Sequence, residues 1–70
     1  MSARYFVRVT HGSGSPTVST ITTKTNCIYF AQSVCSNQGD RAEVVKEKRG
    51  GDVVIMRYWR DSEGLQFLEY

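Results

Sequence analysis

The hydrophobic pattern is strongest in VVIMRYWRD, the stretch Val53–Asp61. It is dense in β-branched and aromatic residues and lacks helix-capping signals, and both features favour a β-strand. Its two faces both carry apolar side chains: Val54, Met56 and Tyr58 on one, and Val53, Ile55 and Trp59 on the other. A strand that is apolar on both faces is normally covered on both. We therefore expect Val53–Asp61 to be the central strand of a sheet.

Four further segments have the composition or the alternation of strands. Apolar and polar residues alternate in Arg4–Thr10, and Thr17–Lys24 is rich in threonine and β-branched residues. Imperfect alternation in Thr17–Lys24 indicates a bulge or an edge position. Arg41–Lys48 precedes the central strand and Leu65–Tyr70 follows it, and each is separated from it by a glycine-containing turn.

One segment, Cys27–Asn37, follows the helical period instead, with its apolar residues on one side. Thr25 and Asn26 are suitable N-cap residues, and Gly39 is placed to end the helix. The resulting order, ββαβββ, predicts an α+β fold. We expect a five-stranded antiparallel sheet with one amphipathic helix packed on one face, in a single domain over residues 1–70.

The turns suggest a register for the last three strands. A three-residue loop, Ser62–Gly64, pairs Trp59 with Phe67 and Tyr58 with Leu68. The helix face then gathers Ala42, Val44, Val54, Met56, Tyr58 and Leu68. The open face gathers Val45, Ile55, Arg57, Trp59 and Phe67 with three acids, Glu43, Glu47 and Glu69, which we expect to pair with Arg57 or Arg60. A two-residue Gly50–Gly51 loop, the alternative to Gly50–Asp52, shifts one pairing by a residue and blurs this sorting.

A single helix covers one face of a sheet, so we expect the open face to bind a partner. Aromatic and arginine side chains dominate interface hot spots, and exposed aromatics on a sheet also stack unpaired bases. The expected binding residues are Ile55, Arg57, Trp59, Arg60, Phe67, Lys46 and Lys48. The alternatives are that sheet curvature or arginine stems bury Trp59 and Phe67, that a homodimer buries them, and that the lysines only guard a strand edge.

Composition narrows the class of protein without naming a function. The 70 residues are 40% hydrophobic and 23% charged, which is ordinary for one small folded domain. The net charge of +2 permits nucleic acid as a partner without requiring it. No signal peptide and no apolar run near the ~20 residues of a membrane span are visible. We therefore expect a cytoplasmic protein without membrane association.

Candidate catalytic and metal-binding residues are sparse. His11 lies near Ser13 and Ser15, but a flexible glycine-rich loop does not hold such groups in catalytic geometry. Cys27 and Cys35 would lie about 12 Å apart along a helix, beyond the ~7 Å limit for a disulfide. We expect both to be reduced core residues and, with one distant histidine, not a zinc site. The expectation is a protein without catalysis, metal or cofactor.

The second half of the chain carries a resemblance of layout. The helix Cys27–Asn37 leads to Arg41–Lys48, then to a hydrophobic strand ending in Arg57–Trp59, a short turn and a last strand containing Leu65–Leu68. This layout resembles small anti-CRISPR proteins of phages and mobile elements. In particular, it looks like a group that blocks the type I-F surveillance complex with a five-stranded sheet curved about one helix. The net positive charge departs from the acidic, DNA-mimicking type.

The resemblance implies a non-enzymatic inhibitor that occupies a nucleic-acid-binding surface of a larger protein assembly, in the host cytoplasm if a phage encodes it. We therefore predict a binding protein that engages a protein partner through its open sheet face. The alternatives are a nucleic-acid-binding module that uses Arg57, Trp59, Phe67 and neighbouring basic residues, and a homodimeric structural accessory protein.

Overall fold

A computed structural model describes residues 3–70 as a five-stranded antiparallel sheet with one helix on one face. The predicted α+β fold and its ββαβββ order are confirmed. The elements are β1 (Tyr5–His11), β2 (Thr17–Val18), α1 (Lys24–Val34), β3 (Asp40–Lys46), β4 (Val53–Asp61) and β5 (Gly64–Glu69).

The strand order is β2-β1-β3-β4-β5, so β3 is the middle strand. The predicted bounds of β4 are confirmed, but β4 lies between β3 and β5 rather than at the centre of the sheet. Four side chains of β3 are buried: Asp40, Ala42, Val44 and Val45. The difference arises because the connection through α1 brings β3 back beside β1, a long-range pairing that no local pattern shows.

The core lies between α1 and the strands β1 and β3. Cys27 and Ala31 of the helix, with Val7 and Val44 of the sheet, have no exposed surface. The small helix residues allow close approach to the sheet, and a fully buried valine side chain contributes about 1.5–3 kcal/mol. Met56 and Tyr58 extend this core towards β4. The helix therefore covers β1 and β3, and Met56 and Tyr58 of β4 complete the core beside them.

The helix begins earlier and ends earlier than Cys27–Asn37. Thr23, rather than Thr25 or Asn26, is the N-cap, and its Oγ1 accepts a hydrogen bond from the backbone N–H of Asn26 at 3.2 Å. Cys35 is the C-cap, and Gly39 (φ 91°) lies in the turn into β3. The helix has 11 residues, and within residues 3–70 no helix is long and apolar enough to cross a membrane.

The second strand is shorter than the predicted Thr17–Lys24. Thr17 and Val18 form its ladder with β1, at the expected edge of the sheet, and Thr22 pairs with Tyr5 of β1 as an isolated bridge. Beyond them, Ser19 replaces a regular ladder, because its Oγ accepts from the Val7 N–H and its own N–H donates to the Val7 carbonyl, both at 2.9 Å. Polar side chains that bond the backbone compete in this way with strand pairing.

A bulge between β3 and β4 changes which side chains face the helix. Val44 pairs with Met56 but Val45 pairs with Val54, so Ile55 is an extra residue on β4. Ile55 packs against the helix-side core, and Val54 moves to the opposite face beside Val45. The predicted faces of Ile55 and Val54 were therefore wrong, because an inserted residue reverses the alternation of a strand.

The turn between β4 and β5 contains two residues, Ser62 and Glu63, because Asp61 pairs with Gly64. The Asp61 carboxylate accepts from the Glu63 N–H at 2.8 Å and stabilises this short turn. The predicted three-residue loop was wrong, and a slip of one residue moves every side chain of β5 to the other face. Phe67 now pairs with Tyr58 on the helix side, whereas Leu68 pairs with Arg57 on the open face.

The two cysteines are free and buried, as predicted. Burial raises the pKa of the Cys27 and Cys35 thiols. Cys35 also donates its S–H towards the Tyr58 carbonyl, with 3.8 Å between the sulfur and the oxygen. Both thiols therefore act as small core groups.

Replacement of the N-cap tests the observed helix boundary. Thr23→Ala should lower the free energy of unfolding by about 1 kcal/mol, because the Asn26 N–H loses its acceptor. Thr25→Ala is the matched control, since exposed Thr25 lies inside the helix, where alanine is favourable. Urea unfolding followed by circular dichroism measures both. A larger loss from Thr25→Ala would contradict the boundary.

Candidate functional site

The sheet face away from α1 is organised in three rows across the strands, because paired residues of neighbouring strands share a face. The rows are Phe6–Val45–Val54, then Arg8–Glu43–Arg57–Leu68, then Thr10–Arg41–Trp59–Gln66. The first row is apolar, and its central Val45 is fully buried although it lies outside the helix-side core. The open face is thus apolar at one end and polar in the middle.

Glu43 joins the arginines of the middle row. Its Oε1 lies 3.2 Å from Arg8 Nη1 and its Oε2 lies 3.1 Å from Arg57 Nη2. One carboxylate thus connects β1, β3 and β4. The predicted ion pair between Glu43 and Arg57 is confirmed. Solvent-exposed pairs add little to stability, so the main effect is to hold two guanidinium groups in place on the surface.

A shallow polar pocket of about 200 Å³ opens above this ion pair. Its lining residues are Arg8, Thr10, Arg41, Glu43 and Arg57. Three arginines against one glutamate leave a local excess of positive charge. Among the described residues Arg41 has no carboxylate partner, and its Nη2 reaches only the Gly12 carbonyl at 3.4 Å. The pocket can therefore accommodate a negatively charged group beside Arg41.

Two aromatic residues flank the pocket. Trp59 is the cross-strand neighbour of Arg41 and is half-buried, so its indole is neither enclosed by the monomer nor fully open. Tyr70 is 63% exposed, and its ring lies under the Arg57 guanidinium, with 5.8 Å between Cζ and the ring centroid. This distance is typical of a cation–π contact. Leu68, 48% exposed, lies beside Arg57 on the same face.

Of the seven residues predicted to bind a partner, only Arg57 and Trp59 meet on the open face. Phe67 stacks on Tyr58 on the helix side, with 5.9 Å between the ring centroids. Lys46 shares a row with Tyr5, whose side chain packs against the helix-side core. The predicted grouping of these residues with Trp59 was wrong because the two-residue turn moves Phe67 to the helix side, and because Lys46 shares the parity of Ala42 and Val44 on β3.

Two of the seven have other surroundings. The Arg60 Nε donates to the Cys35 carbonyl, and the Gly39 N–H donates to the Arg60 carbonyl at 3.1 Å. Arg60 therefore closes the C-terminal end of α1 instead of flanking Trp59, and Ile55 belongs to the core. Lys48 is exposed in the loop between β3 and β4, and a binding role for it stays a prediction.

Sequence patterns pointed only weakly to the other pocket residues. Arg8 and Arg41 stand at polar positions of their strands, which is the signal that was available. Their meeting with Arg57 depends on β1 lying beside β3, which no local pattern contains. Tyr70 is placed by the two-residue turn, which sets the parity of β5.

His11 forms a second polar cluster at the end of the sheet. Its Nδ1 lies 2.9 Å from Asp40 Oδ1, and Asp40 Oδ2 accepts from the Asn37 N–H at 3.0 Å. These hydrogen bonds, above all that with His11, hold the pKa of the Asp40 carboxyl below its usual value. No hydrogen bond joins His11 to Ser13 or Ser15 within residues 3–70. The cluster stabilises the turn between α1 and β3.

Metal ligands do not converge in the part of the chain that the structure describes, since no group of three or more His, Cys, Asp or Glu side chains is placed to hold an ion. Comparison with known proteins finds no match for the chain among family models, curated proteins or solved structures. The arginine pocket on the open face is therefore the basis for a functional proposal.

Acid should destabilise the protein through Asp40. A carboxyl with a lowered pKa in the folded state stabilises the fold above the unfolded value of about 3.9 and loses this contribution as the pH falls through the folded pKa. We expect the free energy of unfolding to fall below about pH 4. Asp40→Asn should flatten this dependence, and urea unfolding at a series of pH values measures it. An unchanged acid limb in Asp40→Asn would contradict the assignment.

Proposed function

We propose that this chain is a non-catalytic binding protein whose open sheet face binds single-stranded nucleic acid. The observation that carries the proposal is the pocket in which Arg8, Arg41 and Arg57 surround Glu43, with Trp59 and Tyr70 beside it. Basic grooves with neighbouring aromatic rings are the usual means of binding an unpaired strand.

The arginines provide the contact to phosphate. A guanidinium group is planar, permanently charged and able to donate two parallel hydrogen bonds to phosphate oxygens. Arg41 is the group best suited for this contact, because it has no carboxylate partner among the described residues. Glu43 keeps Arg8 and Arg57 at the rim of the pocket, so less side-chain entropy is lost on binding.

The aromatic rings provide the contact to bases. Trp59 lies next to Arg41 and keeps part of its indole accessible, and Tyr70 lies under Arg57. A base stacked on such a ring gains about 1–3 kcal/mol. Pairing each ring with an arginine suits a strand in which base and phosphate alternate. An open sheet presents this surface to splayed bases, whereas duplex recognition generally inserts a helix or ribbon into a groove.

A protein partner is the second candidate, as the resemblance to anti-CRISPR inhibitors implies. Exposed Leu68 and Tyr70 lie beside Arg57, and arginine with aromatic and apolar neighbours is the usual composition of an interface hot spot. The two candidates differ in their response to salt, because phosphate contacts release counterions and weaken steeply as salt rises. Affinity purification with and without nuclease separates them further.

Arginine replacement tests the phosphate contact. Arg41→Gln should weaken binding of a fluorescent single-stranded oligonucleotide and reduce the slope of log Kd against log salt by about 0.7. Arg49→Gln is the matched control, because it removes the same charge from the exposed loop between β3 and β4. Fluorescence anisotropy over a salt series measures both. Equal effects of the two variants would show that binding depends only on the net charge of the protein, and would exclude the proposed site.

The single tryptophan provides a direct probe of base contact. A base stacked on the Trp59 indole should quench its emission as oligonucleotide is added. Trp59→Phe has no indole emission, so its binding is followed by fluorescence anisotropy of the labelled oligonucleotide and should be weakened but retained. Titration with an abasic strand of the same charge is the control, since it offers phosphates without bases. Equal quenching by the abasic strand would show that no base stacks on Trp59.

A further inference from the structure

The strand β5 is an edge of the sheet with outward backbone groups. The Tyr70 N–H donates to the Ile55 carbonyl at 3.0 Å, so even-numbered residues of this segment point their backbone groups towards β4. Backbone groups alternate in direction along a strand. The N–H and C=O groups of Leu65, Phe67 and Glu69 therefore point away from the sheet, and no strand of residues 3–70 lies beyond β5.

This edge lacks most of the features that normally prevent pairing with another chain, and its one charged residue is Glu69 at the end of the strand. Natural edge strands are very short, or carry lysine, proline or a bulge. The opposite edge, β2, follows this rule with two residues. By contrast β5 has six residues without lysine, arginine, proline or a bulge, and its Phe67 and Leu68 are 63% and 48% exposed.

We propose that β5 pairs antiparallel with β5 of a second copy of this chain, about a two-fold axis at Phe67. In this arrangement the Phe67 N–H of each copy donates a hydrogen bond to the Phe67 carbonyl of the other copy. Leu65 lies opposite Glu69 on both sides, and Gln66 lies opposite Leu68. All three residues with outward backbone groups then form hydrogen bonds. This inference does not rest on the proposed nucleic-acid binding.

Charge and the length of the paired segment together select this register among the symmetric ones. An axis at Gln66 brings Glu69 beside Glu63 of the second copy, and an axis at Glu69 places two carboxylates directly opposite each other. Like charges directly opposite across strands are destabilising. An axis at Leu65 pairs only the turn end of β5, and an axis at Leu68 leaves Leu65 without a partner. The Phe67 axis alone avoids a like-charge pair and uses Leu65 through Glu69.

Side chains on both faces fit the same axis. On the helix side Phe67 already stacks on Tyr58, so pairing extends this contact into a row of four rings across the two copies. On the open face Leu68 is covered by Gln66 of the second copy. A two-fold axis perpendicular to the joined sheet keeps both helices on one side. The arginine pockets of the two copies therefore share the other side of one continuous sheet.

Sedimentation velocity over a concentration series tests the proposal. As concentration rises, the apparent mass of the wild-type species should approach twice the monomer mass of 7.9 kDa. Phe67→Lys should shift the species to the monomer, because two added charges would face each other at the axis. Tyr29→Lys, a similar change at a helix residue that is 67% exposed, should leave the dimer intact. A monomeric wild type, or equal behaviour of the two variants, would overturn the proposal.

The register has its own test. Leu68→Lys should remain dimeric with the Phe67 axis, where residue 68 meets Gln66, and should dissociate if the axis passes through residue 68. Circular dichroism checks that each variant is folded. If Phe67→Lys unfolds, Glu69→Pro replaces it, because proline there removes an outward N–H and no bond to β4. Dissociation of Leu68→Lys, or a dimeric Glu69→Pro of unchanged affinity, would exclude this pairing.

Discussion

The packing of α1 on β1 and β3 is the constraint from which the other surfaces follow. A helix is about 10 Å wide and neighbouring strands are about 4.8 Å apart, so one helix covers roughly two strands. Small residues, Cys27 and Ala31, let the helix lie close to Val7 and Val44. The cover reaches Tyr58 but ends before Phe67, which stays exposed on the helix side. The structure therefore leaves uncovered surface on both sides of the sheet.

The order of the elements was predictable because most of them have a strong local pattern. The two-sided apolar run of β4 gave its bounds, and the change of period in the region of Cys27 gave the helix. The helix start was misplaced because Thr23, Thr25 and Asn26 are all good cap residues, and only the observed bond from Oγ1 of Thr23 selects among them. Ser19 shortened β2 by bonding the backbone of β1, which composition does not indicate.

The site was harder to predict because it depends on register and strand order. Phe67 was assigned to the open face through a three-residue turn, whereas the Asp61 carboxylate stabilises a two-residue turn. The bulge at Ile55 reversed the alternation of β4 in the same way. Arg57 and Trp59 escaped both errors, because they lie between the bulge and the turn. Their meeting with Arg8 and Arg41 came from long-range pairing.

The buried cysteines have a further consequence for chemistry in solution. Neither thiol has exposed surface, and burial disfavours the thiolate that reacts with alkylating reagents. Reaction with iodoacetamide then requires the helix to leave the sheet. Cys27 reports the first turn of the helix, whereas Cys35 reports the C-terminal end held by Arg60. The labelling rates of the two cysteines therefore measure how often each end of the helix separates from the sheet.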